Sequence, residues 1–179
     1  NGLESRLHYS FESEFWGESF LKLCNLIGEK YDVVLFLNSD LFVSISALNE
    51  YLDINDFFEL DFSQPSLSSN SFYSHQHTLN IPGAGVVEVP FIEIMMPCLS
   101  LPVLREINNI GITTISGWGL DTELFPYIQN KLHLKPPAVI HSCQVIHSKP
   151  IASDRVYSDS LTAREQMLKL RNTIASLSS

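Results

Sequence analysis

Apolar positions along this chain alternate between a helical and an extended rhythm, and the alternation predicts an α/β fold. Trp16, Phe20, Leu23, Cys24 and Ile27 recur at helical spacing, which predicts an amphipathic helix with Gly28 as its C-cap. Val33 to Leu37 is an unbroken run of strand formers, the pattern of a strand covered on both faces, and Asn38-Ser39-Asp40 ends it. Ile45 to Tyr51 predicts a short helix and Phe57 to Phe62 a short strand. Gln64 to Pro82 reads as a long polar loop holding Tyr73, His75 and His77, and loops of that length are uncommon unless they serve a function. Val86 to Met96 predicts a strand in which Pro90 marks an edge or a bulge. Helices follow over Leu101 to Asn108 and over Glu123 to Leu132, the latter from apolar residues at 120, 124, 128 and 132. Ala138 to His147 predicts a strand with interior polar residues. Thr162-x-x-Glu165 is a capping box that opens a last helix, with Ala163, Met167, Leu170, Ile174 and Leu177 on one face.

Composition narrows the function classes. A length of 179 residues, 45% of them hydrophobic, suits one domain with a core of its own. The formal net charge is -9 and no two Lys or Arg are adjacent, so the chain lacks the positive footprint that nucleic acid or an anionic membrane surface requires. No apolar run is long enough to span a membrane, and no signal peptide opens the sequence. Cys24, Cys98 and Cys143 are odd in number and widely spaced, which argues against a disulfide framework and for a reducing, cytoplasmic setting. The chain opens on Asn1-Gly2 instead of Met, which leaves room for it to be the C-terminal part of a longer domain.

Candidate chemistry gathers at two turns. In Ser116-Gly117-Trp118-Gly119-Leu120-Asp121, paired glycines let the chain double back and present the indole of Trp118, with one apolar face and one N–H donor. Asp121 then falls at the mouth of a helix, where the dipole favours its ionised form; it reads either as a helix cap or as a carboxylate that takes a proton. At the other turn, Asp40 follows the end of a buried strand, where open α/β sheets place ligands. Asn38 and Asp40 can offer oxygen to Mg²⁺ or Mn²⁺, and His147, near the end of its own strand, can approach them if the two strands are neighbours. Glu93 reads as a solvated strand position or a residue facing a cleft, and Phe72 and Tyr73 as ring platforms or loop anchors.

Taken in series, these stretches resemble a family of inferred bacterial glycosyltransferases with plant relatives, long catalogued only as a domain of unknown function. The resemblance rests on Val33 to Asp40, Gln64-Pro65-Ser66-Leu67-Ser68, Ser71-Phe72-Tyr73-Ser74-His75, Phe91-Ile92-Glu93-Ile94-Met95-Met96-Pro97, Ser116 to Asp121, and His147-Ser148-Lys149-Pro150, in that order. It implies a mixed, mostly parallel sheet flanked by helices, similar to the GT-A fold of metal-dependent nucleotide-sugar transferases, without the N-terminal strands that hold the nucleotide there. It further implies Asp40, Asn38 and His147 as ligands of Mn²⁺ or Mg²⁺ and Asp121 as the acceptor-side base. Trp118, Gly117, Gly119, Glu93, Tyr73, His75 and Gln64 would line a site for a nucleotide-sugar donor and a glycan acceptor. Asn38-Ser39-Asp40 stands where the family has an acidic triplet, His141 where an acid is expected and Lys149 in place of Arg. Two alternatives therefore stay open: a non-catalytic glycan-binding or scaffolding relative with a decayed metal site, and a metal hydrolase built on the histidine pairs.

Overall fold

The computed structural model describes residues 15–27, 30–150 and 155–177. In chain order the elements are α1 (Trp16–Ile27), β1 (Val33–Leu35), β2 (Leu41–Phe42), α2 (Ile45–Phe58), β3 (Phe62–Leu67), β4 (Val86–Glu88), β5 (Cys98–Ser100), α3 (Leu101–Ile110), α4 (Phe125–Leu132), β6 (Ala138–His147) and α5 (Ala163–Leu177). The strands form one open sheet in the order β1-β5-β3-β6-β2, with β4 also on β6. Helices cover both faces. Cys98 of β5 and Ala138 and Ile140 of β6 pack with Tyr51 of α2. Leu99 and Val139, the alternate residues, face the larger core with Phe20 of α1, Leu104 of α3, Phe125 of α4 and Leu170 of α5. An α/β fold with a mixed, open sheet between helices is therefore what the sequence forms. No helix among the described residues is long and apolar enough to cross a membrane.

The sheet is not mostly parallel. Among the strand pairs of the described residues, only β3 and β6 run parallel; β1 with β5, β3 with β5, β4 with β6 and β2 with β6 are antiparallel. The mostly parallel direction was an expectation of the family resemblance, and the apolar run Val33 to Leu37 forms an antiparallel strand. The strand expected over Val33 to Leu37 is a half-buried one at the end of that order, not one covered on both faces.

Other boundaries moved for identifiable reasons. The helix expected over Ile45 to Tyr51 runs on to Phe58, starting where the Ser44 hydroxyl accepts the Ala47 N–H. Tyr51 and Asn55, one turn apart, are both buried and both hydrogen-bond Ser63 of β3, which holds the second half of the helix on the sheet. Phe57 and Phe58 thus end a helix and do not begin a strand. Gln64 to Leu67 belong to β3, every residue of which is buried, so the long loop starts only at Ser68. The strand from Val86 stops at Glu88; beyond Pro90 the chain leaves β6 and lies along the continuation of β1, where Asn38 N–H donates to the Met95 carbonyl and Phe36 N–H to that of Pro97. The helix expected from Glu123 begins at Phe125 and is preceded by a π-type turn over Leu120–Leu124. The capping box is in place: the Thr162 N–H donates to Glu165 Oε2 and the Glu165 N–H to Thr162 Oγ1. Residue 28, expected to cap α1, lies outside the described residues.

One backbone contact sets where the glycine turn sits. A Cβ on Gly17 of α1 would lie 2.2 Å from the Gly117 nitrogen and 2.8 Å from the Ile115 carbonyl oxygen. Gly117 and Gly119 adopt φ of 84° and 89°, and a Cβ on Gly119 would crowd Met167 and Leu170 of α5 at 3.1 and 3.3 Å. The turn is thus clasped between two helices. Gly17→Ala is expected to lower stability in urea unfolding by about 2 to 3 kcal/mol, the cost of overpacking where the neighbour is backbone and cannot turn aside.

Candidate functional site

A cavity of about 410 Å³ opens beside the glycine turn, and residues from well-separated stretches of sequence line it: Asn38, Asp40, His75, Glu93, Trp118, Gly119, Asp121 and His147 all reach it. Sheet register explains the first pairing. Leu41 of β2 lies opposite His147 of β6, so Asp40, one residue before, falls beside that histidine. Both the N–H and the hydroxyl of Ser148 bond the Asp40 carbonyl, at 3.1 and 2.9 Å, and lock the turn.

His147 Nε2 lies 3.5 Å from Asp40 Oδ2, with both side chains largely buried. The other ring nitrogen, Nδ1, faces the Phe72 carbonyl at 2.9 Å and must donate to it, so the neutral ring presents a lone pair from Nε2 toward the carboxylate. Two acceptors facing each other call for a proton or a cation between them. Asp40 Oδ1 is also buried and has no hydrogen-bond partner. The Asn38 side-chain oxygen accepts the Ser39 N–H at 2.9 Å, which leaves it one further lone pair. No group of three or more His, Cys, Asp or Glu that could hold a metal occurs among the described residues. One carboxylate, one imidazole and one amide oxygen do fit a divalent ion that completes its shell with ligand phosphates, the usual manner for Mg²⁺.

The second acidic group is built by the segment after β4. Glu93 is 3% exposed, and its backbone N–H donates to Gln64 Oε1 at 2.6 Å. Gln64 is therefore a buried support behind Glu93, not a loop residue of the cavity wall. Burial first, then the nearby Asp121, push the Glu93 carboxyl up to about 8, against the opposing pull of a hydrogen bond from the Ser74 backbone. Its Oε2 is buried without a partner. Burial also raises Asp121, to about 6, and backbone N–H groups of Ile94, Thr122 and Gly119 hold it from rising further. At neutral pH the pair thus holds one neutral acid and one carboxylate. Asp121 sits inside the π-type turn, a form often found at functional sites, and its Oδ1 accepts the N–H of the next residue, Thr122, at 2.9 Å. The simple helix-cap reading does not describe it.

Three expected site residues lie elsewhere. Tyr73 is 43% exposed and does not line the cavity. Gly117 packs on Gly17 and Gln64 supports Glu93, both from behind the wall. Phe72 contributes its backbone: its carbonyl orients His147, and its N–H donates to the His147 carbonyl at 3.1 Å. His141 lines a different pocket, apart from His147, and its Nδ1 accepts the Ile81 N–H at 3.0 Å. His75 and His77 stack on each other and meet the Phe91 ring edge-on; only His75 lines the cavity. The histidine pairs therefore do not converge on one centre.

No protein-family model matches the chain, and no curated protein matches it. The site's own geometry carries the functional reading.

Sequence reasoning missed a further wall. Phe15, Trp16, Arg155 and Tyr157 line the cavity, with the Arg155 guanidinium 4.6 Å from the Phe15 ring and 5.8 Å from that of Tyr157. The Trp16 indole donates to the Ile94 carbonyl at 2.8 Å, which ties α1 to the segment carrying Glu93. The helical period marked Trp16 as core, and nothing local signals that Arg155 stacks there. Gln166 of α5 also escaped notice: its Oε1 accepts the N–H groups of Ile115 and Ser116 at 3.3 and 2.9 Å and so fixes the approach to Trp118.

The raised Glu93 has a thermodynamic consequence. Its folded value, about 8, lies above the ordinary 4.5, so the folded chain keeps a proton that the unfolded chain gives up. Stability from this group is full below about pH 4.5 and is lost as pH rises toward 8. Wild-type melting temperature should fall over that window. Glu93→Gln, which cannot ionise, should flatten the fall and melt higher than wild type at pH 8 and above; equal slopes for both proteins would show Glu93 to be ionised.

Proposed function

We propose that this chain is a metal-assisted glycosyltransferase of GT-A-like fold, or the C-terminal part of one, moving a sugar from a nucleotide-diphosphate donor to a glycan or other hydroxyl acceptor. The observation that carries the reading is the meeting of Asp40, His147, Glu93, Trp118 and Asp121 in one cavity. Asp40 and His147, with Asn38 as the remaining oxygen donor, would hold Mn²⁺ or Mg²⁺, which supplies positive charge against the charge that builds on a leaving diphosphate. Arg155 brings a guanidinium to the same cavity in a chain whose net charge is -9. Trp118 offers its ring face to a sugar. Asp121, ionised at neutral pH and raised to about 6, is a better base for a hydroxyl proton than an ordinary aspartate. Three unpaired, buried cysteines suit a reducing, cytoplasmic setting.

A second reading, a glycan-binding relative without turnover, is favoured by one observation. The metal corner holds one carboxylate where the resembling family has an acidic triplet, and the Asn38 oxygen is already engaged by Ser39.

The test measures nucleotide release from a panel of nucleotide sugars with Mn²⁺ present. Asp121→Asn should lower turnover by a factor on the order of 10² to 10⁴, the scale of general-base removal. Its melting temperature at pH 7 should equal or exceed that of wild type, since a buried charge beside Glu93 is gone. Asp40→Asn should weaken Mn²⁺ binding in calorimetry at least tenfold. Mn²⁺ binding with no turnover of any donor would favour the second reading, and unchanged turnover in Asp121→Asn would reduce Asp121 to a structural role.

A further inference from the structure

We propose that Glu93 and Asp121 act as a donor and acceptor pair that grips one hydroxyl of a bound sugar, Glu93 donating from its carboxyl O–H and Asp121 accepting the hydroxyl's own proton. This rests on the reading of the cavity as a sugar site and names the chemistry that selects its ligand.

The geometry comes from three facts. Both residues line the same cavity. Glu93 is held on two sides, by Gln64 at its backbone N–H and by the Ser74 backbone at its carboxyl. Its Oε2 is left buried with no partner in a side chain that is 3% exposed. A buried polar atom that no protein group satisfies is costly, so it is one that a ligand group can reward by pairing with it. If the acid proton sits on Oε2, the vacant function is a donor. Asp121 beside it is an acceptor, already held by the backbone N–H groups of its own turn.

A group that satisfies both must accept from one and donate to the other. An ammonium cannot accept and a carboxylate cannot donate, so each leaves one member of the pair unsatisfied. A hydroxyl does both. Trp118, two residues before Leu120 and on the same turn as Asp121, supplies the apolar face that a pyranose ring stacks on.

Other ionisable groups facing the pair limit the pH range over which it can be tested. His75, on the loop after β3, is lowered from 6.5 by its burial and by His77. Tyr157 is raised from 10 by its burial. Asp40 and His147 line the same cavity, and Arg155 lies against the rings of Phe15 and Tyr157. Glu93, at about 8, lies within the range from pH 6.5 to 9.5, and Asp121, at about 6, lies below it.

The experiment is binding of methyl glucoside, methyl galactoside and methyl xyloside to the whole chain, followed by saturation-transfer NMR, with carboxyl ¹³C titration of the ligand-free protein. Glu93 should titrate above pH 7, and Asp121→Asn should lower its midpoint. At least one glycoside should bind at pH 6.5 and weaken on the order of thirtyfold by pH 9.5, following loss of the Glu93 proton. Glu93→Gln, whose amide donates at every pH, should bind equally at both pH values and less than tenfold more weakly than wild type at 6.5. Glu93→Ala should bind none. A Glu93 midpoint in the ordinary carboxylate range overturns the proposal, as does pH-independent binding by wild type or the absence of glycoside binding at pH 6.5. Glycoside binding with the expected pH dependence but no nucleotide-sugar turnover leaves the pair standing and removes only the transferase reading.

Discussion

The backbone pairing of β6 is the constraint on which the rest depends. This strand pairs with β3, β4 and β2, and its final residue, His147, lines the cavity beside Asp40. Its ladder with β3 is interrupted: Pro65 lies opposite Ile140, but the next residue, Ser66, lies opposite Gln144. The intervening residues bulge out of the ladder, and Ser66 and Asn80 side chains take up the carbonyls this frees, those of Cys143 and His141. Beyond that slip Cys143, Val145 and His147 are buried in alternation, and the pairing with β2 sets His147 beside Asp40. A one-residue change of register between β2 and β6 would no longer set Leu41 opposite His147, the pairing that brings Asp40 beside that histidine.

Around this frame, the cavity is assembled by groups that act on backbone. Gln64 holds the Glu93 N–H, Trp16 the Ile94 carbonyl, Ser71 the His147 N–H and Gln166 the approach to Trp118. Each spans a long separation in sequence. In the irregular segment between β4 and β5, Gln64 and Trp16 serve peptide groups that have no strand ladder, beside the backbone bonds from Phe36 and Asn38. The same enclosure desolvates Glu93 and Asp121, so the packing that shapes the cavity also sets the charge state of its acids.

The three thiols contrast with those acids. Cys24 and Cys98 are pushed up to about 12 and Cys143 to about 11 by burial, with no positive group to lower them, so they serve as packing. Enclosure alone therefore makes an inert group, and the acids differ because each also meets the cavity.

Several features were determined by the sequence itself. The helical stripes of α1, α3 and α5, the capping box at Thr162 and the bounds of β6 follow from local periodicity and local hydrogen bonding, which need no distant partner. The approach of His147 to Asp40 was open to reading from two strand ends, and the exposure of Trp118 from a glycine turn, but that all of them line one cavity with Asp121 was an expectation of the family resemblance alone. The extension of α2 to Phe58 and the path of the chain after Glu88 were not legible, because they are held by Ser63 and Gln64 of another strand, and strand direction rests on which strands pair. Nor was the role of Glu93: an acid among apolar neighbours reads the same in solvent and in a cleft. Only the tertiary structure, by stripping water from that carboxyl and bringing Asp121 near, decides which it is.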